Sequence, residues 1–125
     1  MAGKIVADTL EHSTAGSVST QYVVEGSAKV LEKHDASHTI DNSTNVSTLT
    51  DNGGGDTTVN YTNSTANIHQ YVVAGTGNNS TQNRLIQNVA AQTHTTSSHR
   101  YKVGNGSLNA TDAAVNNSVL YGDLA

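Results

Sequence analysis

The 125-residue chain contains no cysteine, no proline, no phenylalanine and no tryptophan. Without Cys, both a disulfide framework and a thiolate metal site are excluded. Any metal would have to be held by His or carboxylates. Without Pro, exposed strand edges must be protected by charges, bulges or neighbouring subunits. Hydrophobic residues make up 34% of the chain and Tyr is its sole aromatic type. That is low against the roughly 45–50% of soluble globular chains, a benchmark that also counts Gly. The core of one copy must be thin. Packing against further copies would recover buried apolar area at roughly 25 cal/mol per Å², so an obligate oligomer is expected.

Charge is scarce as well, at 13% of residues and a net −4. Disordered chains pair low hydrophobicity with high net charge, so this composition argues for folding. Six Lys and Arg residues in an acidic chain argue against a nucleic-acid backbone as partner. Apolar runs are only a few residues long, far short of the roughly 20 needed by a spanning helix, so no membrane insertion is expected. The opening MAGKIVADTLEHSTAG lacks the apolar stretch of a secretory signal.

What fills the chain is Thr, Ser, Asn, Gly and Val, which favours short strands joined by tight turns. Residues 1–29 read as an extended arm ending in a strand at Tyr22-Val23-Val24, with Asp8 to His12 as one short helical turn. Residues 30–125 read as one β-rich domain. The clearest local signal is a hairpin over Asn45 to Tyr61, where β-branched runs flank Asp51-Asn52-Gly53-Gly54-Gly55-Asp56. Ile68 to Ala74 reads as a strand closed by a turn at Gly75 to Asn79. Arg84 to Val89, Ser97 to Val103 and Ala114 to Tyr121 are further strands, with a turn at Gly104-Asn105-Gly106. Strands at this spacing predict an all-β, antiparallel sandwich or jelly-roll-like domain.

The chemical candidates are few. His34 and His38 are four apart and would share a helix face, and His94 and His99 form a second pair, but no third ligand completes either set. All are expected to be solvent-exposed loop residues, and neither a metal nor a cofactor is expected. The ten carboxylates are expected in solvated loops and turns, with Asp51 and Asp56 accepting backbone N–H bonds around the hairpin loop. The glycine triplet runs into Thr57-Thr58-Val59 instead of a helix, so it is no phosphate cradle. No Ser lies in a nucleophile-elbow pattern. The N-x-S/T triplets follow from an Asn, Ser and Thr bias. An enzyme is not expected.

Several separated motifs carry a resemblance. GKIVADTLEHSTAGSVSTQYVVEGSAK, NVSTLTDNGGGDTTVNYTN, TTSSHRYKVGNGS and the terminal VLYGDLA resemble, in the same order, small proteins of marine and cyanobacterial tailed phages, described as tail-fibre-like or virion structural proteins. The likeness covers most of the chain and is weakest over residues 32–44 and 75–92. Those proteins tend to carry aromatics where this chain has Leu31 and Thr57. The resemblance implies a β-structured particle component on the capsid or tail surface, assembled as a homotrimer beside other capsid or tail proteins. Ile5, Val6, Leu10, Tyr22, Val23 and Val24 are then the residues expected to attach the arm. The alternative is a tail-associated module that binds host surface glycan through loops at Asn78 to Asn83 and Gly104 to Asn109.

Overall fold

A computed structural model describes residues 6–67, 72–79, 82–88, 94–105 and 109–125. Ten strands and one short helix follow one another along these residues: β1 (Thr9–His12), β2 (Gly16–Ser19), α1 (Thr20–Gly26), β3 (Ala28–Asp35), β4 (Ile40–Thr44), β5 (Val46–Asp51), β6 (Asp56–Tyr61), β7 (Val72–Asn79), β8 (Gln82–Asn88), β9 (Ser98–Gly104) and β10 (Val115–Tyr121). The chain is mostly β, and every strand pairing among the described residues is antiparallel.

β1 and β2 form a small hairpin of their own, and the other eight strands form one sheet in the order β4-β3-β10-β7-β8-β9-β6-β5. This sheet is strongly curled. β3 and β9 are separated by three strands, which in a flat sheet would set them roughly 19 Å apart at about 4.8 Å per step. Yet the Tyr101 hydroxyl on β9 lies 2.8 Å from the Glu32 carboxylate on β3. The two halves therefore face each other across a common interior. At the rim, β4 and β5 are joined by Asn45 alone, whose left-handed φ of 58° bends the chain from one half into the other. Its side chain fixes that corner, accepting from the Asn63 N–H at 2.7 Å and donating to the Asn63 carbonyl at 3.0 Å. Strands that pass between layers through a bend make such corners.

Period-two alternation decides what fills the interior. Val30, Glu32 and His34 point inward from β3, Thr57, Val59 and Tyr61 from β6, His99, Tyr101 and Val103 from β9, and Asn116, Ser118 and Leu120 from β10. Among the described residues, polar and charged side chains in the buried set are as numerous as apolar ones, so hydrogen bonding has to do part of what apolar packing does elsewhere.

The hairpin over Asn45 to Tyr61 is present as β5 and β6. Three local expectations are corrected. Residues 9–26 are not an extended arm: Asp8 to His12 enters a strand instead of a helical turn, and Tyr22-Val23-Val24 lies in α1 instead of a strand. The Ser19 hydroxyl caps α1 by accepting from the Gln21 N–H, which outweighs the β-branched pair in so short a segment. Gly75 to Asn79 is the second half of β7 and not a turn, because both flanks are hydrogen-bonded, to β10 and β8. Residues 68–71, Val89 and Gly106 lie outside the described residues.

Gly75 also shows why that strand needs glycine. A Cβ there would stand 2.2 Å from the Asn117 carbonyl oxygen and 2.4 Å from Ile86 Cδ1. Gly55 is similarly constrained, with φ of +68° and a Cβ position 2.3 Å from the Thr111 carbonyl oxygen. Because backbone must move in both cases, Gly75→Ala and Gly55→Ala are each expected to cost about 3 kcal/mol in urea unfolding. Gly26→Ala, where open space surrounds the Cβ position, is the control and should cost nothing measurable.

Candidate functional site

Two hydrogen-bonded chains of polar side chains cross the interior. In the first, the Tyr101 hydroxyl donates to Glu32 Oε1 at 2.8 Å, and its oxygen lies 2.9 Å from His34 Nε2. His34 Nδ1 faces the Asp35 carbonyl at 2.7 Å. A carbonyl only accepts, so that ring nitrogen carries a hydrogen. The second oxygen of Glu32 has no hydrogen-bond partner among the described residues and sits 3.9 Å from His34 Nε2. Burial raises the Glu32 carboxyl above its ordinary range, and nearby Ser118, Tyr101 and His34 offset only part of that. Burial, with the Glu32 charge beside it, also pushes the Tyr101 hydroxyl upward.

In the second chain, His99 Nδ1 meets the Tyr61 hydroxyl at 2.8 Å and Nε2 meets the Ser118 hydroxyl at 2.9 Å. Burial, assisted by His94, lowers His99 to about 4. The imidazole is neutral at pH 7 and supplies one donor and one acceptor, both of which are used. Ser118 stands opposite Glu32 in the β3–β10 register, so the two chains run side by side.

Serine, histidine, glutamate and tyrosine in contact would be an active-site inventory if a substrate could reach them. None can be reached: Glu32, His34, His99, Tyr101 and Ser118 are each at most 2% exposed. The geometry is that of a sealed core. No protein-family model, no curated protein and no solved structure matches this chain.

Around the rim, the tip between β3 and β4 is tied to β6. Asp35 Oδ1 accepts from the Ser37 hydroxyl at 2.7 Å and from the Ser37 and Thr39 N–H groups at 2.9 Å, and these bonds hold its carboxyl below the usual range. His38, at φ of 61°, stacks on His34 with ring centroids 4.9 Å apart and places Nε2 2.9 Å from Thr57 Oγ1. Asp56 is buried on β6, which alone would raise it, but Arg100 and Lys102 outweigh burial and hold it low. Arg100 makes two bonds to the Asp56 carboxylate, at 2.6 and 2.9 Å.

Several expectations are corrected here. His34 and His99 are buried strand residues, not exposed loop residues, because each replaces an apolar side chain in an inward-facing register position. His34 and His38 do come together, through a turn and not a helix. Among the described residues, no group of three His, Asp or Glu side chains is placed to hold a metal. Glu32 and Asp56 are not solvated, whereas Asp51 does accept the Gly53 N–H at 2.7 Å as the turn chemistry requires. The alternation of Val30, Glu32 and His34 was the available signal for the buried carboxylate. Polar residues conceal such a pattern, since alternation is recognised by its apolar members.

The six attachment candidates are in or beside the N-terminal hairpin and helix, apart from Ile5, which lies outside the described residues. Val6, Leu10, Tyr22, Val23 and Val24 are all exposed, Tyr22 at 71% and Val6 at 81%. Leu10 pairs with Val18 across the hairpin, and α1 buries none of its residues. Thr20 joins α1 to the preceding chain by donating to the Ala7 and Asp8 carbonyls, and Lys29 on β3 donates to the Val24 carbonyl.

Proposed function

We propose that this chain is a non-enzymatic structural component of a tailed-phage virion, a surface decoration or short-fibre protein that works as a homotrimer. In this reading the curled sheet is a sandwich-like body facing solvent. The N-terminal hairpin and helix, with the residues before them, are the attachment segment. One observation carries it: the body seals its polar chemistry inside, while Val6, Leu10, Val18, Tyr22, Val23 and Val24 stand in solvent on a segment that buries nothing of its own. An isolated two-stranded hairpin is marginal in water, and so is a helix of two turns. Such a segment gains its stability from a surface outside its own fold. The resemblance of the opening and central motifs to small virion proteins supplies the setting, on capsid or tail.

Glycan recognition is the weaker reading. It calls for stacking platforms on the loops distant from the attachment segment. Among the described residues, Tyr61 and Tyr101 are buried, Tyr22 is on α1, and Tyr121 pairs with Ala28 beside α1. None is offered at the distant end, where the β3–β4 and β5–β6 turns lie.

Light scattering of the purified protein is expected to give three times the chain mass, and labelling of purified particles should find the protein on them. Deleting residues 2 to 20 should abolish incorporation while far-UV circular dichroism still reports the β body. A monomer absent from particles, or normal incorporation of the truncated chain, refutes the proposal.

A further inference from the structure

The attachment segment has a matching surface on the same molecule. On the outer face of the sheet, Leu31 on β3 stands opposite Val119 on β10, and Val119 stands opposite Ala74 on β7. Leu31 and Val119, with Tyr121, Lys33, Asn42 and Asn117, line an open groove of ≈ 440 Å³. Leu31, Val119 and Tyr121 are its apolar members, and Tyr121 is 39% exposed.

The helix that would suit this groove cannot reach it within its own chain. α1 ends at Gly26 and β3 begins at Ala28, leaving Ser27 as the only linker. Folding a helix back onto the face of the strand that follows it usually takes about 2–6 linking residues. Meanwhile Tyr22, Val23 and Val24 are consecutive and, at about 100° per residue, spread over more than half of the helix circumference. No single contact with its own hairpin can cover all three. The charges also correspond: Glu25 lies on the helix, and Lys33 lies on the groove, where Asp41 holds it at 3.4 Å.

We propose that α1 of one copy docks in the β3–β10 groove of a second copy, with Tyr22 and Val23 against Leu31 and Val119, and Glu25 towards Lys33. The contact joins two different patches, so it is heterologous and generates a ring when the rotation between copies closes. The inference rests on the oligomer proposed above and names the surfaces that build it. Burying one Tyr and one or two Val side chains at each such contact supplies the apolar area that the thin core lacks.

The absence of native Cys makes the test direct. Val23→Cys and Val119→Cys are made as separate full-length variants and oxidised alone, then mixed. The expected result is a cross-linked pair of chains from the mixture and none from either variant alone. Cross-linking of Val23→Cys with itself would mean that helices pair with helices and would overturn the inference. So would an internal disulfide in the double variant at high dilution, since that places α1 on its own groove. Leu31→Lys and Val23→Lys are expected to leave the circular dichroism of the body unchanged while reducing the mass by light scattering to one chain; retention of the wild-type mass by both overturns the inference. An oligomeric wild type that gives no mixed cross-link refutes this contact and leaves the homotrimer standing, whereas a monomeric wild type refutes both.

Discussion

Between pH 6.5 and about 4 the folded chain is expected to lose about 3 kcal/mol of stability through His99 alone. The ring is buried and held neutral by the Tyr61 and Ser118 hydroxyls, so the folded state refuses a proton that the unfolded chain accepts from pH 6.5 downward. Its stabilising contribution is complete above pH 6.5, falls as the pH drops, and is exhausted once the pH passes below about 4. Neighbouring groups act in other windows. Asp35 and Asp56, both held low, lose their contribution only as the pH falls below 3.8 through their folded values. Glu32 has the opposite sign. Its raised carboxyl contributes fully below pH 4.5, and that contribution is lost as the pH rises through its folded value. Urea midpoints measured at half-unit steps from pH 7.5 to 3.5 should therefore fall across the His99 window, and the slope should flatten in His99→Gln, which keeps a donor and an acceptor but has no proton to gain. A parallel pair of curves would show that His99 does not carry the acid limb.

How much of this was legible beforehand depends on which side chains mark an element. The β5–β6 hairpin was readable because its loop is built from Asp, Asn and Gly and its flanks are β-branched. β9 and β10 were readable for the same reason, to within a residue or two. β7 was misread at Gly75 and Gly77, since glycine signals a turn when viewed alone. Here Gly75 answers to close approach by Asn117 and Ile86, which are distant in sequence. α1 was missed because a run of Thr, Ser and Val favours strand by composition, whereas a single cap at Ser19 decides the local outcome, and β1 was missed because Asp8 to His12 reads as a helical turn. The interior was the least legible part. The polar members of the buried set were assigned to loops. Glu32, His34 and His99 look solvated until the curl of the sheet sets β3 against β9 and β10, and that curl depends on Asn45 and on register, neither of which composition reveals.

That interior also predicts the largest single-atom effect in the molecule. Tyr101→Phe removes one oxygen and no volume of consequence, yet it leaves Glu32 Oε1 and His34 Nε2 without their partner in a region closed to water. Each buried group so orphaned costs about 1–3 kcal/mol, so a loss of about 3–4 kcal/mol is expected in urea unfolding. Tyr101→Ala adds a cavity to the same loss and should prevent folding at room temperature in a domain of ordinary stability. The decisive comparison is the pair Glu32→Leu and Tyr101→Phe. Glu32→Leu alone leaves the Tyr101 hydroxyl one partner poorer, while the double variant removes both ends of that bond. If the network replaces apolar packing, the double variant should lose at least 1 kcal/mol less than the two single losses added together, within the ~0.5–3 kcal/mol range of coupled neighbours. Strict additivity would mean that the Tyr101 hydroxyl and the Glu32 carboxyl stabilise the body independently of each other, whereas a Tyr101→Phe variant as stable as the wild type would mean that the tyrosine acts by its ring alone, in a core held by Val30, Val59, Val103 and Leu120.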